Sequence, residues 1–474
     1  MSERISTARQ FAFALGNAGF QLTDRIVVVV AVYFYLPPPG RGLVAQVPEE
    51  IFFGIFTVYG LAMLVGRFFD AAADPLVGHG SDRSGSRFGR RRSFLIYGIA
   101  PMVGIPLLLF FPPFAAGSVR NGYWLAGLLA LYFVFFTIYV GPYLALIPEI
   151  AWTQRERISL AKLLAVAAIP IAAVFGAVWP LGLDLGRAAG LAPTDALRVV
   201  VVVASLGAFL LCLAPIFAID ERRFARSAPS DLSLWRALVT TLRNRAFLVY
   251  LAAQIFFILG LNLVQPLFPY LATVVLGRSE GFAVWFGASA LVGFAVSFAL
   301  LDRLVHRYGP LRVMMLCVGG LGLVLLGLGL LEADVPGGPH DRTNLTVVFS
   351  VFACFGFPVA GLMVLPHVLI SQLVDRDERA TGANRSAMFF GVQGFLTKWA
   401  YGASLWIFTV LLSRFGNRPD ESLGVILVGP VAGVACLLSL ALYAFYPERE
   451  VLEGEVESGP LSSTSPRRRA GPPR

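Results

Sequence analysis

The segment "DRSGSRFG", residues 82–89, returns in the second half of the chain as "DRLVHRYG", residues 302–309. The two copies share the pattern D-R-x-x-x-R-[FY]-G, and each follows the second long apolar run of its half. The triplets "RER" at 155–157 and "DER" at 377–379 repeat at a similar offset of about 220 residues. A fixed offset between similar segments indicates an internal duplication, so we predict two homologous halves.

The composition predicts that these halves lie in a lipid bilayer. The chain of 474 residues is 57% hydrophobic and 14% charged, with a mean hydropathy of +0.73, whereas soluble domains are about 25% charged. Its apolar runs are long enough to cross about 30 Å of hydrocarbon. We predict an all-α polytopic membrane protein of twelve transmembrane helices, six in each half. The predicted spans are 10–36, 51–78, 94–111, 123–147, 163–181, 199–218, 246–275, 282–301, 312–331, 346–373, 386–412 and 423–446.

The spans also set the predicted domain boundaries. We expect an N-terminal six-helix bundle at 1–219, a charged cytoplasmic linker at 220–245 and a C-terminal six-helix bundle at 246–447. Residues 448–474 are rich in Pro, Ser, Gly and Arg and are predicted to form a disordered cytoplasmic tail.

The basic residues predict the orientation. With the N-terminus inside, most of the 38 Lys and Arg residues fall in cytoplasmic segments, which normally carry an excess of positive charge. We therefore expect an integral protein of the inner (plasma) membrane with both termini in the cytoplasm. The net charge of +9 reflects this bias, and no basic patch interleaved with aromatic residues points to nucleic acid. The expected partners are the lipid bilayer and a small-molecule solute, with no obligate protein partner.

Two carboxylates interrupt the second predicted span. Asp70 and Asp74 are four residues apart on one helix face, and Arg67 lies on nearly the same stripe. An ionised Asp near the bilayer centre costs about 2.5–3.5 kcal/mol, so the pair must face a partner or a wet cavity. If Arg67 neutralises Asp70, Asp74 remains uncompensated. A monovalent cation or a proton would balance that charge, so we predict a coupling site here; a purely structural pair is the alternative.

A lysine in the eleventh predicted span offers these carboxylates a partner. Lys398 is one of two lysines in the chain and the only basic residue within its span. A buried ammonium needs a carboxylate near it. We hypothesise that Lys398 pairs with the acids when no cation is bound and is displaced when one binds. The alternative is that its side chain extends to the membrane interface.

These motifs resemble those of a known family. Two six-helix bundles joined by a charged linker resemble the major facilitator superfamily, in which substrate binds at the midplane between halves that rock. The run "RFFDAAADPLVGHGSDRSGSRFGR", residues 67–90, resembles the signature of the glycoside–pentoside–hexuronide cation symporters, the group of the melibiose permeases. "PYLALIPEI" (142–150) and "GVQGFLTKWAYG" (391–402) are similar to further motifs of that group. The resemblance implies that Asp70 and Asp74 bind Na+, Li+ or H+, with Lys398 near them.

The sequence departs from that group where melibiose permeases bind sugar. Those proteins use an aspartate and an aromatic residue on helix 4 and an arginine on helix 5, whereas the matching positions here are Val140, Leu144 and Ala165. Asn17 and Gln21 stand where helix 1 is expected to carry charge. Sugar recognition needs several directed hydrogen bonds and a stacking ring, so a galactoside is disfavoured and another sugar stays open.

Helix 1 carries a second pair of charges, Asp24 and Arg25. As neighbours they point about 100° apart, so each needs a separate partner. They either line the central cavity and bind a polar or charged group of the substrate, or brace helix 1 against a neighbour. Asn17 and Gln21 are candidates for the same cavity. The remaining cavity candidates are polar or aromatic side chains of other spans: Tyr59, Tyr143, Gln254, Asn262, Gln265, Gln393 and Trp399.

Charged residues at the cytoplasmic helix ends can form ion pairs that hold the helices in one of two access states. We predict that such a cytoplasmic gate is formed by residues of the two repeated motifs, Asp82, Arg83, Arg87, Asp302, Arg303 and Arg307. Glu149 ends the fourth span at the same side, and we expect it to pair with loop arginines rather than join the cation site.

The sequence shows no phosphate loop, zinc-binding helix or nucleophile elbow, so we expect neither an enzyme nor ATP-driven transport. We expect no metal site and no cofactor beyond the coupling ion, Na+ or H+. The first hypothesis is secondary active symport of a small solute, a sugar or glycoside. The alternatives are symport of a lysophospholipid-like amphiphile, as in the animal branch of the resembled family, and a non-transporting membrane scaffold or sensor that keeps the fold.

Overall fold

The computed structural model describes residues 5–52, 56–150, 160, 163–164, 167, 176–221, 244–331, 341–381 and 386–447. Most of the predicted linker (222–243) and the predicted tail (448–474) lie outside the described residues, as does Ala165. In chain order the helices are α1 (Thr7–Tyr35), α2 (Val58–Arg83), α3 (Arg92–Leu109), α4 (Val119–Ile150), α5 (Gly176–Ala188), α6 (Pro193–Ala218), α7 (Arg245–Val264), α8 (Ala283–Tyr308), α9 (Pro310–Leu326), α10 (Asp341–Thr381), α11 (Ser386–Phe415) and α12 (Leu423–Tyr443).

The predicted membrane architecture is confirmed. Ten helices of the described chain are long and apolar enough to cross a membrane. The other two differ for identifiable reasons: α2 carries Arg67, Asp70 and Asp74 in its middle, and α5 is described over only 13 residues. Long apolar helices satisfy their own backbone hydrogen bonds, which is what a bilayer requires of a spanning segment.

Several predicted boundaries are wrong: α8 and α10 end seven and eight residues beyond their predicted spans, and two further cases have identifiable reasons. The second span was expected from residue 51, but Ile51–Phe52 (β1) pairs antiparallel with Phe56–Thr57 (β2). Thr57 then caps α2, since its Oγ1 accepts the backbone N–H of Gly60 at 3.0 Å. At the other error, α5 continues to Ala188, seven residues beyond the predicted end of the fifth span. The first error arises because a run of apolar residues does not distinguish a short hairpin from the start of a helix. The second arises because polar residues in the last turn of α5 resemble a loop in the sequence.

The two copies of the repeated motif share one backbone feature, although the first copy leaves its helix at Arg83 and the second stays helical through Tyr308. Its final glycine has a positive φ in each copy, 108° at Gly89 and 82° at Gly309. Residues with a side chain rarely adopt a positive φ, so the turn favours glycine at this position. The next helix begins shortly after each turn, at Arg92 and at Pro310. The duplication inferred from the sequence therefore extends to the positive φ of this glycine but not to the conformation of the residues before it.

A second structural repeat was not predicted. The five residues Ile26–Val30 of α1 form a π-helical turn, and Leu271–Val275 form another in the continuation of α7. All ten residues of the two turns are buried. Such turns are rare and are found mostly at functional positions.

Small residues bring neighbouring helices close together. Gly293 of α8 faces the backbone of Ala353 on α10, and Gly356 of α10 faces the backbone of Ala290 on α8, with no room for a side chain at either glycine. Backbone contact of this kind is characteristic of helix association in membranes, where van der Waals packing replaces the hydrophobic effect.

The contacts between the halves are distributed unevenly. We call the end with the motif loops (82–90 and 302–309) the motif end, and the end with Tyr33 and Glu280 the opposite end. Among pairs whose partners are both described, side-chain contacts between residues before 222 and those after 243 run from the middle of the bundle to the opposite end. The described halves are therefore sealed together at the opposite end.

Candidate cation-binding site

The centre of the site is one ammonium shared by two carboxylates. Lys398 of α11 lies with its Nζ 2.7 Å from Oδ1 of Asp70 and 2.7 Å from Oδ1 of Asp74, both on α2. The four-residue spacing puts the two carboxylates on the same face of α2, one turn apart. The lysine therefore links the two halves at the middle of the bundle.

Asp70 is the more enclosed of the two carboxylates. It is 0% exposed, and besides Lys398 it accepts the hydroxyl of Thr137 on α4 at 2.7 Å and Nη1 of Arg67 at 3.2 Å. Charge-assisted hydrogen bonds of this kind compensate the cost of burying an ionised group. Asp70 is thus held in place by three elements, α2, α4 and α11.

Arg67 is held between rings and acids. Its guanidinium lies 4.1 Å from the ring centroid of Phe133 and 5.2 Å from that of Tyr401. Its Nη2 is also 3.6 Å from Oδ1 of Asp24 on α1. Arginine stacks on aromatic faces while keeping its charge, so this residue suits a fixed countercharge. Asp24, which sequence could not pair, joins the cluster through Arg67.

Asp74 differs from Asp70 in its surroundings. It is 39% exposed, and Lys398 is its ion-pair partner. Counting the acids Asp24, Asp70 and Asp74 against the bases Arg67 and Lys398, the linked cluster carries three negative and two positive charges. The ion pairs thus leave one excess negative charge, before Arg25, which forms no ion pair with a described residue, is counted. Carboxylate oxygens suit a hard monovalent cation or a proton, and the Asp74 side is where one could enter.

One member of this cluster, Thr137, and one contact, between Asp24 and Arg67, could not be found from the sequence. Thr137 is a neutral residue in an apolar span, and nothing in its neighbourhood marks it as a partner of Asp70. The contact of Asp24 with Arg67 joins α1 to α2 and depends on how the helices cross. No group of three or more His, Cys, Asp or Glu residues that could hold a metal ion occurs in the described part of the chain.

The polar residues of helix 1 form a stripe. Asn17 donates from Nδ2 to the carbonyl of Leu164 at 3.1 Å, and Gln21 donates from Nε2 to Oδ1 of Asn17 at 3.4 Å. Arg25 follows one turn later on the same face. Its Nε is buried, and the guanidinium makes no hydrogen bond or ion pair with any described residue.

Two tyrosines proposed for the cavity are used for packing instead. Tyr143 is fully buried, donates to the carbonyl of Phe13 at 2.6 Å and stacks on the Phe13 ring at 4.3 Å. Tyr59 is also fully buried and points its hydroxyl at the carbonyl of Val27, 3.4 Å away. In this conformation neither offers surface to a substrate, because a large amphipathic ring satisfies its hydroxyl internally.

The candidates on α7 are similarly engaged. Gln254 is buried and accepts the hydroxyl of Tyr443 at 3.1 Å. Asn262 is buried and donates to the carbonyl of Ile258 at 2.8 Å, while Gln265 donates to Oδ1 of Asn262 at 2.7 Å. Polar contacts of this kind hold membrane helices together.

The remaining candidates are less engaged or are not described. Gln393 has a buried Oε1 without a hydrogen-bond partner among the described residues, and Trp399 is 36% exposed with its ring against Phe68. Of the predicted cytoplasmic gate, Arg87 and Arg307 lie over the rings of their neighbours Phe88 and Tyr308, and Arg303 is exposed. The side chains of Asp82, Arg83 and Asp302 lie outside the described residues.

At the motif end, two acids outside the repeated motifs contact the loop that follows α2. Glu149 accepts Nη2 of Arg90 at 2.7 Å and lies 3.1 Å from Nη2 of Arg91, which is the loop pairing expected for it. Glu221, just after α6, accepts the backbone N–H groups of Arg91 and Arg92 at 2.8 and 3.0 Å. These contacts all lie within the N-terminal half.

A charged network at the opposite end was missed by the sequence analysis. Glu280 is 0% exposed and accepts the hydroxyl of Tyr33 at 2.8 Å together with both terminal nitrogens of Arg187. Asp184 accepts the backbone N–H of Gly281 at 2.8 Å. Arg41 donates to the carbonyls of Thr273 and Arg278 at 2.9 and 2.8 Å. Every one of these bonds joins the two halves.

The chain is similar to known membrane transporters in both sequence and fold. The MFS_2 family, described as MFS/sugar transport protein, matches residues 12–448. The chain is 24% identical over 560 aligned positions to an uncharacterized symporter, sll1374, of Synechocystis, covering 96% of each chain. It is 23% identical to the sodium-dependent lysophosphatidylcholine symporter 1 of Gallus gallus, covering 94% of this chain and 87% of the relative. The crystal structure of a D-xylose-proton symporter superposes with a TM-score of 0.62 at 15% identity, covering 93% of this chain and 98% of that one, which supports the fold.

Proposed function

Because the chain belongs to the MFS_2 family of MFS/sugar transport proteins, we propose that it is a secondary active transporter that couples entry of a cation to symport of a small solute. The family consists of transporters, so the expectation of a non-enzymatic membrane protein is confirmed. The glycoside–pentoside–hexuronide type of symporter suggested by the helix-2 motif agrees with the symporters among its relatives. A scaffold without transport activity has no support from these relatives.

The observation that carries the proposal is the lysine shared between the halves. A cation that binds between Asp70 and Asp74 needs the oxygens that now hold Nζ of Lys398, at 2.7 Å from each. Cation and ammonium therefore compete. Since α2 and α11 belong to different halves, displacement of the ammonium removes a link between them, and a ligand that favours one arrangement shifts the equilibrium toward it.

The remaining acids and bases serve this exchange. Asp70 keeps Arg67 and Thr137 as partners after the ammonium leaves, so it stays in place as one cation ligand. Asp74 has fewer contacts and supplies the second. On this proposal Arg67 is a fixed countercharge, and Lys398 is the mobile one.

Two solute classes remain candidates. The description of the family favours a sugar or glycoside. The lysophosphatidylcholine symporter among the relatives favours an amphiphile, and the apolar Val140 and Leu144 at positions that bind sugar in melibiose permeases fit this second class. The coupling ion is Na+ or H+, and the name of the same relative favours Na+.

We place the motif end in the cytoplasm, because its loops carry the basic residues. The opposite end, with Glu280 and Arg187, then faces outward. Since the described contacts between the halves lie at that end, this arrangement corresponds to a transporter closed to the outside.

The test is cation binding by the purified full-length protein. We expect saturable binding of radioactive sodium that is competed by lithium, lost in the Asp70→Asn/Asp74→Asn double variant and retained in Asp195→Asn, a matched control at an exposed helix start. For a proton-coupled protein, sodium does not bind, and the unfolding temperature depends on pH in the wild type but less in the double variant. The proposal is contradicted if the double variant binds sodium as the wild type does, or if its unfolding temperature depends on pH as that of the wild type does.

A further inference from the structure

Among the described residues, Arg25 is the one charged residue of the central region whose role is not explained by the cation exchange. It ends the α-helical part of α1 and precedes the buried π-helical turn Ile26–Val30. Its Nε is buried, and no described residue accepts a hydrogen bond from it or forms an ion pair with it. A guanidinium has five N–H donors; that of Nε is buried without a partner, which is costly, while the residue as a whole is only half-buried.

The neighbouring acids are already engaged by other bases. Asp24 faces Arg67 at 3.6 Å, and Asp70 and Asp74 share Lys398. Arg25 directly follows Asp24 on α1, so it lies beside this cluster. Arg25 therefore adds a positive charge next to the cation site without an acid of its own.

Arg25 also continues a polar stripe. Asn17, Gln21 and Arg25 are spaced by four residues and share one face of α1. Asn17 and Gln21 are bonded to each other, whereas the guanidinium at the end of the stripe has a buried Nε without a hydrogen-bond partner among the described residues. A ligand group lying along this face would meet two amides and then a cation.

We propose that Arg25 binds an anionic group of the transported solute, a carboxylate or a phosphate. The planar fork of arginine matches the two oxygens of either group. This inference rests on the proposed function and narrows its solute class. It also explains why the solute and the coupling cation bind together. With Arg25 counted, the charges of the region sum to zero, so a bound cation leaves one positive charge, which an anionic solute group beside Arg25 balances.

The test compares neutral and anionic members of matched ligand pairs. The first pair is methyl glucuronide and methyl glucoside, which differ by a carboxylate. The second is oleoyl lysophosphatidate and mono-oleoylglycerol, which differ by a phosphate. Binding to the purified full-length protein is measured by titration of the unfolding temperature, since a ligand of the native state raises it. We expect the anionic member of one pair to bind at least tenfold more tightly than its neutral counterpart.

The variant Arg25→Gln is expected to remove this preference, and Arg25→Lys to keep part of it, because a lysine retains the charge but not the fork. Arg198→Gln is the matched control, since Arg198 pairs with Asp195 away from the cluster; it should keep the full preference. A preference in neither pair, or one that survives Arg25→Gln, overturns the inference.

Cation binding by the same samples separates this inference from the proposed function. Arg25→Gln protein that binds the cation like the wild type is folded, and its loss of anion preference then supports the inference. If the wild type binds the cation at Asp70 and Asp74 but shows no anion preference, the inference fails and the proposed function stands. If the preference depends on Arg25 while no cation binds, the proposed function fails and the inference about Arg25 stands.

Discussion

Two charged networks join the halves of this protein, and they are built differently. In the central cluster, Lys398 bridges Asp70 and Asp74, and one of these acids is 39% exposed. At the opposite end, the fully buried Glu280 is held by Tyr33 and by two nitrogens of Arg187. The first network is short of one positive charge. The second pairs its charges through several bonds and adds backbone contacts from Arg41 and Asp184.

The difference indicates a division of labour. A lysine ammonium is a compact point charge on a flexible stem, so a cation of the same charge can replace it. A forked arginine–glutamate pair with an extra hydroxyl donor has no equivalent substitute, so it serves as a latch that opens only when the halves move apart. On this view the central cluster senses the ion, and the network at the opposite end determines which side is closed.

The largest effect is expected from neutralising one buried acid in each network, Asp70 in the central cluster and Glu280 at the opposite end. Asp70→Asn leaves the 5% exposed Arg67 with only the 3.6 Å contact to Asp24 as an ion pair, and breaking such a buried pair costs about 3–5 kcal/mol. Glu280→Gln keeps an acceptor for Tyr33 and leaves Asp184 beside Arg187 at 3.6 Å, so we expect about 1–3 kcal/mol. Free energies of unfolding in detergent, with Asp195→Asn as an inert control, measure both. A larger loss for Glu280→Gln would reverse the comparison.

The second prediction tests the latch itself. With the native cysteines replaced, a cysteine at Thr273, which is 1% exposed, reports opening of the opposite end to a membrane-impermeant maleimide. Adding Glu280→Gln should raise the labelling rate about tenfold, because a weakening of about 1.4 kcal/mol shifts the open population by that factor. Arg198→Gln in the same background should leave the rate unchanged. An unchanged rate in the Glu280→Gln protein would show that the seal does not depend on this pair.

The third prediction addresses competition in the central cluster. Lys398→Gln removes the resident ammonium, so we expect sodium to bind about tenfold more tightly than in the wild type. Lys398→Arg keeps a charge whose fork can hold both carboxylates and should weaken sodium binding instead. Equilibrium binding of radioactive sodium measures both. If Lys398→Gln binds sodium more weakly than the wild type, lysine supports the cation and does not compete with it.

A smaller effect is expected at Thr137. Thr137→Val removes the 2.7 Å hydrogen bond to Asp70 but leaves Lys398 and Arg67 in place. A hydrogen bond to a charged group contributes about 1.5–3 kcal/mol, of which the remaining partners recover a part, so we expect a several-fold weaker cation affinity. Thr137→Ser, which keeps the hydroxyl, should restore the wild-type value. Equal affinities for Thr137→Val and the wild type would place the hydroxyl outside the site.

The smallest effect distinguishes packing from substrate contact. Tyr143→Phe removes the hydroxyl that donates to the carbonyl of Phe13 at 2.6 Å, so we expect a loss of about 0.5–1.5 kcal/mol in the free energy of unfolding. Cation binding and anion preference should stay as in the wild type. A changed ligand affinity with unchanged stability would return this tyrosine to the cavity lining.

The sequence predicted the fold and the central cluster because both depend on local periodicity. Hydrophobic run length marks the spans, and the spacing of Asp70 and Asp74 places them on one face whatever surrounds them. The scarcity of lysine directed attention to Lys398. What remained hidden depends on contacts between helices: Thr137 and Asp24 reach the cluster only through the way α4 and α1 cross α2.

The network at the opposite end was missed for a further reason. Arg187 and Asp184 lie beyond the predicted end of the fifth span, and Glu280 precedes the predicted start of the eighth. Charged residues near membrane interfaces are common and cost little free energy, because their side chains can reach water. Their presence in the sequence therefore does not indicate a functional network. Only the fold shows that Glu280 is fully buried between halves.

The two π-helical turns have a mechanical consequence. Each lies in a helix that crosses the buried seam between the halves, α1 at Ile26–Val30 and the continuation of α7 at Leu271–Val275. A wider turn holds its hydrogen bonds over five residues instead of four, so it can tighten by one residue while the chain on either side keeps its own bonding. Each half thus has one π-helical turn beside the interface between the halves. A change of hydrogen-bonding register at such a turn would let its helix shift or rotate without unwinding.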